Sequence, residues 1–241
     1  MKKVFKVFGI LLLVLVLVIV GAITYVTKAL PDIPVRTDLR VELTPERIAR
    51  GEYLANSVCV CMDCHSTRDW NKYSGPLEPG TLGKGGERFD QSMEFPGEFY
   101  ARNITPFALK DWTDGEIYRA ITSGVSKDGH PFFPVMPYPN YRQLDTEDVH
   151  SLIAYLRSLP PQKSAPPPSK ADFPVSVIMH TMPQPAQPVR RPDPSDAIAY
   201  GQYLVNAAGC LVCHPKHEKG TPGGGPGAGG VGVQLPNGAP G

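Results

Sequence analysis

The N-terminal part of the chain is apolar, and residues 7–27 carry no charged side chain. Lysines precede this run at positions 2, 3 and 6. At about 1.5 Å per helical residue the run spans roughly 31 Å, which matches the hydrocarbon core of a bilayer. We therefore expect a membrane anchor over residues 1–30, with its lysines in the cytoplasm and the remaining chain exported.

A cleaved secretory signal is the alternative for this segment, because Val20-Gly21-Ala22 resembles a small-residue cleavage site. The apolar run is longer than the usual signal core of about 7–15 residues, which favours an uncleaved anchor. Both interpretations place the rest of the chain outside the cytoplasm.

Amphipathic spacing predicts three further helices, over about residues 44–58, 113–124 and 145–159. Thr44 followed by proline, and the capping-box pattern that begins at Thr113, are typical helix starts. Between these helices the pattern is irregular. The sequence thus predicts an all-α domain with long irregular loops.

Residues 160–194 contain eleven prolines, a composition that favours extended backbone over a packed core. This segment is either a spacer or a strap whose apolar patch, residues 173–182, packs against the first domain. The expected organisation is an anchor (1–30), a stalk (31–43), a first domain (44–160), a proline-rich linker (161–195) and a partial second domain with a glycine- and proline-rich tail (196–241).

Composition adds little to this outline, since 24 basic residues balance 23 acidic ones and give no sign of a nucleic-acid partner. The cysteines are more informative. Cys61, Cys64 and His65 form a C-x-x-C-H pattern, and residues 210–214 repeat it with Cys210, Cys213 and His214. Two thiols at this spacing can add to the two vinyl groups of a porphyrin, and the adjoining histidine can bind the iron.

A C-x-x-C pair could also belong to a zinc site or a redox dithiol, but here the sequence before each motif repeats as well. Six of the nine residues at 48–56 recur at 198–206 with an offset of 150, which becomes 149 at the cysteines. The additional residue lies at Cys59-Val60, just before the first motif. This duplication predicts two covalent haem c sites. Cys59 has no evident partner, and we interpret it as a buried structural thiol.

An electron-transfer haem needs a second axial ligand, commonly methionine or histidine. Met136 lies 71 residues after His65, in a loop rich in proline and aromatic residues just before the third helix. His130, in the same loop, and Met93 are the alternatives.

These motifs, with Asn103-Ile104-Thr105-Pro106 and the loop at 129–141, resemble those of membrane-anchored diheme cytochromes c and of the cytochrome subunits of bacterial alcohol and sugar dehydrogenases. The resemblance covers residues 44–160 and resumes at 196. It implies the class I cytochrome c fold, with crossed first and last helices, Met136 as the sixth ligand, and the Asn103–Pro106 stretch close to the haem.

The second motif departs from this pattern, because only 27 residues follow His214 and none is methionine. We expect an incomplete or truncated second domain. Its haem could lack the usual sixth ligand, take one from elsewhere such as Met179, His180 or Met182, or not be attached.

The resulting functional hypothesis is a cytochrome anchored in the bacterial inner membrane. It transfers single electrons in the periplasm from a donor such as a dehydrogenase to a respiratory complex or oxidase. No pattern indicates independent catalysis. The alternative is a peroxidase-like or ligand-binding protein that uses an open second haem.

Overall fold

In the computed structural model the N-terminal run forms one helix, α1 (Lys2–Ala29). None of its residues is buried, and within it Val26 and Thr27 alone are half-buried. Its length and composition suffice to cross a membrane, a test that signal sequences also pass. The structure describes residues 2–214, 216–218 and 221–223.

Three helices form the centre of the part that follows: α2 (Pro45–Tyr53), α5 (Asp114–Ser123) and α7 (Thr146–Ser158). All three were predicted, and their caps are present. The side chain of Thr113 accepts a hydrogen bond from the Glu116 N–H, and the Glu116 carboxylate accepts one from Thr113 in return. Gly124 ends α5 at φ 68°, in the left-handed conformation that glycine adopts without strain.

Helices α2 and α7 cross at Gly51, where the two backbones approach closely. A Cβ atom at this position would lie 1.9 Å from the Ser151 carbonyl oxygen and 2.7 Å from the Tyr155 Cβ. Any side chain at Gly51 would therefore force the helices apart. The core around this crossing includes Leu54, Val149, Leu152 and other apolar residues contributed mainly by residues Leu54–Val58, which follow α2, and by α5 and α7.

Shorter elements complete this body: α3 (Cys61–Cys64), α4 (Pro106–Leu109), α6 (Tyr138–Tyr141), β1 (Arg88–Phe89) and β2 (Gly97–Tyr100). Strand β2 also pairs with β3 (Lys170–Ala171), which gives a three-stranded antiparallel sheet in the order β1-β2-β3. The sequence did not predict this sheet, because strands of two to four residues are too short to show an alternating pattern.

The proline-rich segment (residues 161–195) follows the surface of the helical body rather than leading away from it. Asn103 Nδ2 donates to the Gln162 and Ser164 carbonyl oxygens at 2.7 and 3.0 Å. Further along, the Gln187 N–H donates to the Arg142 carbonyl oxygen at 2.8 Å. The segment thus lies along the first body at these points, whereas its apolar patch, residues 173–182, contacts α1.

The apolar patch of this segment forms α8 (Val175–Ile178) and one 3-10 turn, Met179–Thr181. Met179 is buried, and His180 Nδ1 lies 2.9 Å from the Leu30 carbonyl oxygen at the end of α1.

The chain continues into α9 (Ala197–Ala207), α10 (Cys210–Cys213) and a hairpin of β4 (Lys216–Glu218) and β5 (Thr221–Gly223). Most of the predicted glycine- and proline-rich tail lies outside the described residues.

A buried carboxylate, Asp148 on α7, connects three parts of the fold. Its oxygens accept hydrogen bonds from Arg50 Nε and Nη2 on α2 at 3.0 and 2.8 Å. They also accept from Tyr203 of α9 at 2.7 Å and from Arg191 of the proline-rich segment. Helix α9 is thereby held against α7, the helix that also packs on α2.

Candidate haem-attachment sites

The segment before the first motif contains the extra residue that the repeat revealed. Residues Leu54–Val58 form a π-helix, and the Cys59 N–H donates to the Leu54 carbonyl oxygen at 2.7 Å, five residues back. A π-bulge accommodates one inserted residue in a helix without unwinding it. The inserted residue therefore does not break the helical segment that leads from α2 into the first motif.

A left-handed residue precedes the first cysteine in both repeats. Val60 has φ 46° and Gly209 has φ 66°, and each is the N-cap of the four-residue helix that contains the cysteines. Glycine adopts this conformation readily, whereas valine, with its branched Cβ, does so only under strain. The turn is thus the same in both motifs, but the first motif requires a strained residue to form it.

Helix α3 places Cys61 and Cys64 three residues apart, on one face of a single helical turn. Both side chains are half-buried. Burial is the main cause that raises the pKa of Cys61 to about 12 and that of Cys64 to about 11. At neutral pH these thiols are therefore protonated in the absence of a bound group.

The ring of His65 is oriented by the backbone. Its Nδ1 lies 2.6 Å from the Arg102 carbonyl oxygen. Because a carbonyl only accepts hydrogen bonds, Nδ1 carries the proton and Nε2 keeps its lone pair for a metal. Burial, opposed by this hydrogen bond, lowers the pKa of His65, so the neutral ring that a metal requires is favoured.

The Asn103–Pro106 stretch holds that carbonyl in place. Asn103 Oδ1 accepts hydrogen bonds from the Thr105 N–H at 2.9 Å and from the Thr105 hydroxyl at 2.8 Å. Both residues are buried. The stretch therefore forms a turn, and it lies beside the first motif through its neighbour Arg102.

Met136 is half-buried and packs against the hydrophobic core cluster, as does Cys61. Its loop is anchored by the Phe132 N–H, which donates to the Gly124 carbonyl oxygen at 2.7 Å. The Phe133 ring stacks on Phe99 of β2 with ring centroids 4.5 Å apart. These contacts fix the loop on the N-terminal side of Met136.

The two alternatives to Met136 lie elsewhere. His130 is exposed, and its ring faces His180 of the proline-rich segment at a centroid distance of 6.2 Å. Met93 ends the 3-10 helix Gln91–Met93 beside the small sheet. Of the three residues, Met136 is the one that packs against the core cluster.

The second motif has the same turn, but the side chains around it are exposed to solvent. The His214 N–H donates to the Cys210 carbonyl oxygen at 3.1 Å, as the His65 N–H does to Cys61 at 2.9 Å. However, His214 is exposed, and Leu211 and Val212 expose 44% and 56% of their surface. Cys210 is half-buried. For Cys213 the structure describes the backbone only.

Met179, His180 and Met182, the suggested sixth ligands for the second motif, belong to the segment that packs at the end of α1. Met179 is buried there and Met182 is half-buried. A sixth ligand for His214 stays a prediction.

Helix α9 is nevertheless firmly docked. Tyr203 is buried, and its hydroxyl donates to Asp148 while accepting from the Asp145 N–H at 3.0 Å. Asn140 Nδ2 on α6 donates to the Asn206 carbonyl oxygen at 3.1 Å, and Asn206 Nδ2 donates to the Asn140 carbonyl oxygen at 3.3 Å. These paired bonds join the helix after Met136 to the helix before Cys210.

No family model matches the sequence, but individual proteins do. The chain is 30% identical over 181 residues to the gluconate 2-dehydrogenase cytochrome c subunit of Pantoea cypripedii, an alignment that covers 69% of the chain and 37% of that protein. It is 28% identical over 206 residues to the cytochrome c subunit of the quinone alcohol dehydrogenase of Gluconobacter oxydans, covering 80% and 40%. The chain is a homologue of cytochrome c subunits.

A diheme c-type cytochrome of Cereibacter sphaeroides is a further relative, with 32% identity over 117 residues, 47% of the chain and 37% of that protein. The alignments thus span little more than a third of these relatives' own lengths. The homology implies covalently bound haem c as the cofactor of this cytochrome homologue.

The first site also fits that cofactor by its own chemistry. Besides the paired thiols and the free Nε2 of His65, the hydroxyl of Tyr138 is buried and has no hydrogen-bonding partner among the described residues. Burial raises the pKa of Tyr138 to about 12, so it stays protonated and can donate. An unpartnered buried donor is costly, and a bound group with a polar edge would remove that cost.

Sequence reasoning missed three contributors to the site. Arg102 acts through its backbone carbonyl, which leaves no signal in a sequence. Tyr141, buried, donates from its hydroxyl to the Cys59 carbonyl oxygen at 2.6 Å and so ties the Met136 loop to the first motif. The sequence pattern indicates only an ordinary polar position near a helix start for Asp148.

Cys59 is buried, as expected for a structural thiol, and burial raises its pKa.

Proposed function

We propose that this cytochrome homologue is a membrane-anchored electron carrier of the periplasmic side of the bacterial inner membrane. It accepts single electrons from a dehydrogenase or another periplasmic donor and passes them to a respiratory complex or oxidase. The relatives named above are subunits of gluconate and alcohol dehydrogenases, which supports a dehydrogenase as the donor.

The observation that carries the proposal is the orientation of His65. A half-buried imidazole whose Nδ1 donates to a backbone carbonyl is prepared to bind iron through Nε2. In the proposed site Cys61 and Cys64 bind the porphyrin covalently, and Met136 is the sixth ligand. When bound, haem c supplies a one-electron iron couple, and the protein sets its potential through the ligands and the polarity around them.

The arrangement of the helical body supports a class I cytochrome c domain over residues 44–160. The first helix, α2, crosses the last, α7, at Gly51, and α5 lies between the first motif and the Met136 loop in the chain. Residues 196–241 would then be a partial second domain, in which Cys210, Cys213 and His214 attach a second haem c.

The exposed surroundings of His214 favour one alternative function. A haem whose second face has no protein ligand binds small molecules such as carbon monoxide, oxygen or peroxide. If the second site is open in this way, the chain is a ligand-binding or peroxidase-like protein as well as an electron carrier.

The proposal is tested with full-length protein from a host that attaches haem c. Pyridine haemochrome analysis should give one or two haems per chain, and the reduced protein should show a low-spin c-type spectrum. Met136→Ala should lower the potential and abolish the absorption that arises from methionine bound to iron. Met93→Ala is the matched control and should leave both unchanged.

Protein that matures without haem would refute the electron-carrier proposal. An unchanged spectrum in Met136→Ala would remove Met136 from the iron while leaving the rest in place. Rapid carbon monoxide binding to half of the haem would favour the ligand-binding alternative over a second six-coordinate site.

A further inference from the structure

Part of the proline-rich segment lies directly against the C-terminal end of α1. The short helix α8 and the turn Met179–Thr181 both contact α1. His180 Nδ1 approaches the Leu30 carbonyl oxygen at 2.9 Å. Since Val26 and Thr27 are the half-buried residues of an otherwise exposed α1, the contact falls on the last turns of the apolar run. The segment is therefore fixed at the depth where the anchor leaves the hydrocarbon core.

The outer side of this segment is apolar and uncovered. Phe173 exposes 77% of its surface and Ile178 exposes 46%, while Pro174 between them is also exposed. Met179 points the other way and is buried. Such a division between a buried and an exposed apolar face is unusual for water-facing residues and typical of segments that lie at an interface.

The neighbouring residues fit a membrane surface. Tyr25, on the last turns of α1, exposes 64% of its surface, and aromatic side chains concentrate at the boundary between hydrocarbon and headgroups. Lys28 is exposed one turn further and can reach phosphates. Two acids lie nearby: Asp172 accepts a hydrogen bond from Gln91 Nε2 at 3.1 Å, which ties it to the protein body, and Asp32, two residues after Leu30, is exposed.

We propose that Phe173, Pro174 and Ile178 dip into the lipid headgroup region and form a second membrane contact beside α1. This inference rests on α1 being the retained anchor of the proposed electron carrier. A single helix followed by a stalk would let the haem-binding body rotate freely. A second contact from a segment that is hydrogen-bonded to that body fixes the face that it turns to the membrane, and with it the orientation of both motifs.

The occupant is lipid rather than a partner protein because the patch continues the surface of α1. Helix α8 contacts α1, whose half-buried residues are Val26 and Thr27, and the exposed apolar residues lie in the same segment as α8. Lipid that surrounds α1 would also reach the patch, so a partner protein would have to bind beside or in place of that lipid.

The test uses the full-length chain in liposomes of mixed neutral and anionic phospholipid. Phe173 is replaced by the photoreactive analogue benzoylphenylalanine, and the control carries the same analogue in place of Tyr73. Tyr73 is 98% exposed and lies in the loop between α3 and β1. After irradiation, mass spectrometry of the peptides should show a several-fold excess of lipid adducts at position 173 over position 73.

Equal lipid labelling at the two positions, or adducts at 173 with protein alone, would overturn the inference. The Soret absorption of the same samples reports whether each variant has folded and bound haem. Coloured protein without lipid adducts at 173 contradicts only the membrane contact, whereas colourless protein that labels lipid contradicts the electron-carrier proposal. A Phe173→Asp and Ile178→Asp double variant should lose the preferred haem orientation in polarised infrared or visible measurements on supported bilayers.

Discussion

The two C-x-x-C-H motifs have the same backbone turn in very different surroundings. Each follows a left-handed residue, each forms a four-residue helix, and each histidine N–H caps the first cysteine's carbonyl. Around the first motif His65 is half-buried with its ring hydrogen-bonded to the Arg102 carbonyl, and Met136 packs against the core cluster. Around the second, His214 and its apolar neighbours face outward.

The comparison separates what a motif encodes from what its neighbours supply. Local sequence forms the turn that presents two thiols and a histidine. The histidine's tautomer is set by the carbonyl of Arg102, 37 positions away, and the proposed sixth ligand, Met136, lies 71 positions away. A repeated motif therefore predicts a repeated attachment turn, but it does not predict an equivalent haem environment.

Removing the thiols of one motif at a time gives the largest expected effect. Cys61→Ala with Cys64→Ala should abolish covalent haem at the first site, because no thioether can form there. Cys210→Ala with Cys213→Ala should remove only the second haem. Pyridine haemochrome analysis per chain measures both, and the two losses should sum to the content of the unmodified protein.

If the second pair of substitutions leaves the haem content unchanged, the second turn forms without binding haem. The two motifs would then differ in function as well as in surroundings. Retention of haem by the first variant would contradict the assignment of Cys61 and Cys64.

Substitution of Asp148 tests whether the packing of α2 and α9 on α7 depends on one buried carboxylate. Asp148→Asn leaves the guanidinium of Arg50 without its carboxylate and should destabilise the protein by about 3–5 kcal/mol. Glu147→Gln is the matched control, because its ion pair with Arg47 joins the same two helices but Glu147 is 51% exposed. That variant should lose less than about 1 kcal/mol. Guanidinium unfolding in detergent provides both values.

The effect of Asp148→Asn should depend on pH. Burial acts to raise the pKa of Asp148, but hydrogen bonds from Arg50 and Tyr203 outweigh it, so the folded pKa lies below the ordinary value. The stabilisation is then complete above the unfolded pKa of about 4 and is lost as the pH falls through the folded value. The difference between the two proteins should be constant above about pH 5 and shrink in acid. A constant difference down to pH 2 would rule out this role of the carboxylate.

Much of the helical framework follows from the sequence, and the reason is local. Thr44, Thr113 and Asp145 are capping residues, and the structure uses all three side chains as caps. The small sheet was not predicted, because β3 is built on a proline-rich segment whose composition carries no strand signal. The Asp148 network and the Arg102 carbonyl were also missed, since each depends on partners distant in sequence.

Substitutions at the left-handed residue before each motif, Val60 and Gly209, should have a smaller effect on stability. Gly209→Val should destabilise the second region by about 1–2 kcal/mol, because the left-handed conformation is unfavourable for a branched side chain. A Cβ there would meet nothing nearer than Val212 Cγ2 at 3.7 Å, so the effect is conformational rather than steric crowding. Val60→Gly should stabilise the first region by about 0.5–1 kcal/mol, after the greater chain entropy of glycine is offset.

Unfolding monitored by circular dichroism at several denaturant concentrations distinguishes these outcomes. A loss of stability in Val60→Gly would show that valine's packing outweighs the strain at that position. Val60 is 37% exposed, which is why we expect the conformational effect to dominate.

The smallest expected effect concerns the link between the regions. Asn140→Ala and Asn206→Ala each remove one of the two paired hydrogen bonds between α6 and α9, and each should cost about 1 kcal/mol. Because the bonds are reciprocal, the double variant should lose less than the sum of the single variants. Additive losses would mean that the two hydrogen bonds act independently of each other. A non-additive result would show that α6, which follows Met136, and α9, which precedes Cys210, are energetically coupled. A substitution in the Met136 loop would then also change the stability of the region around the second motif.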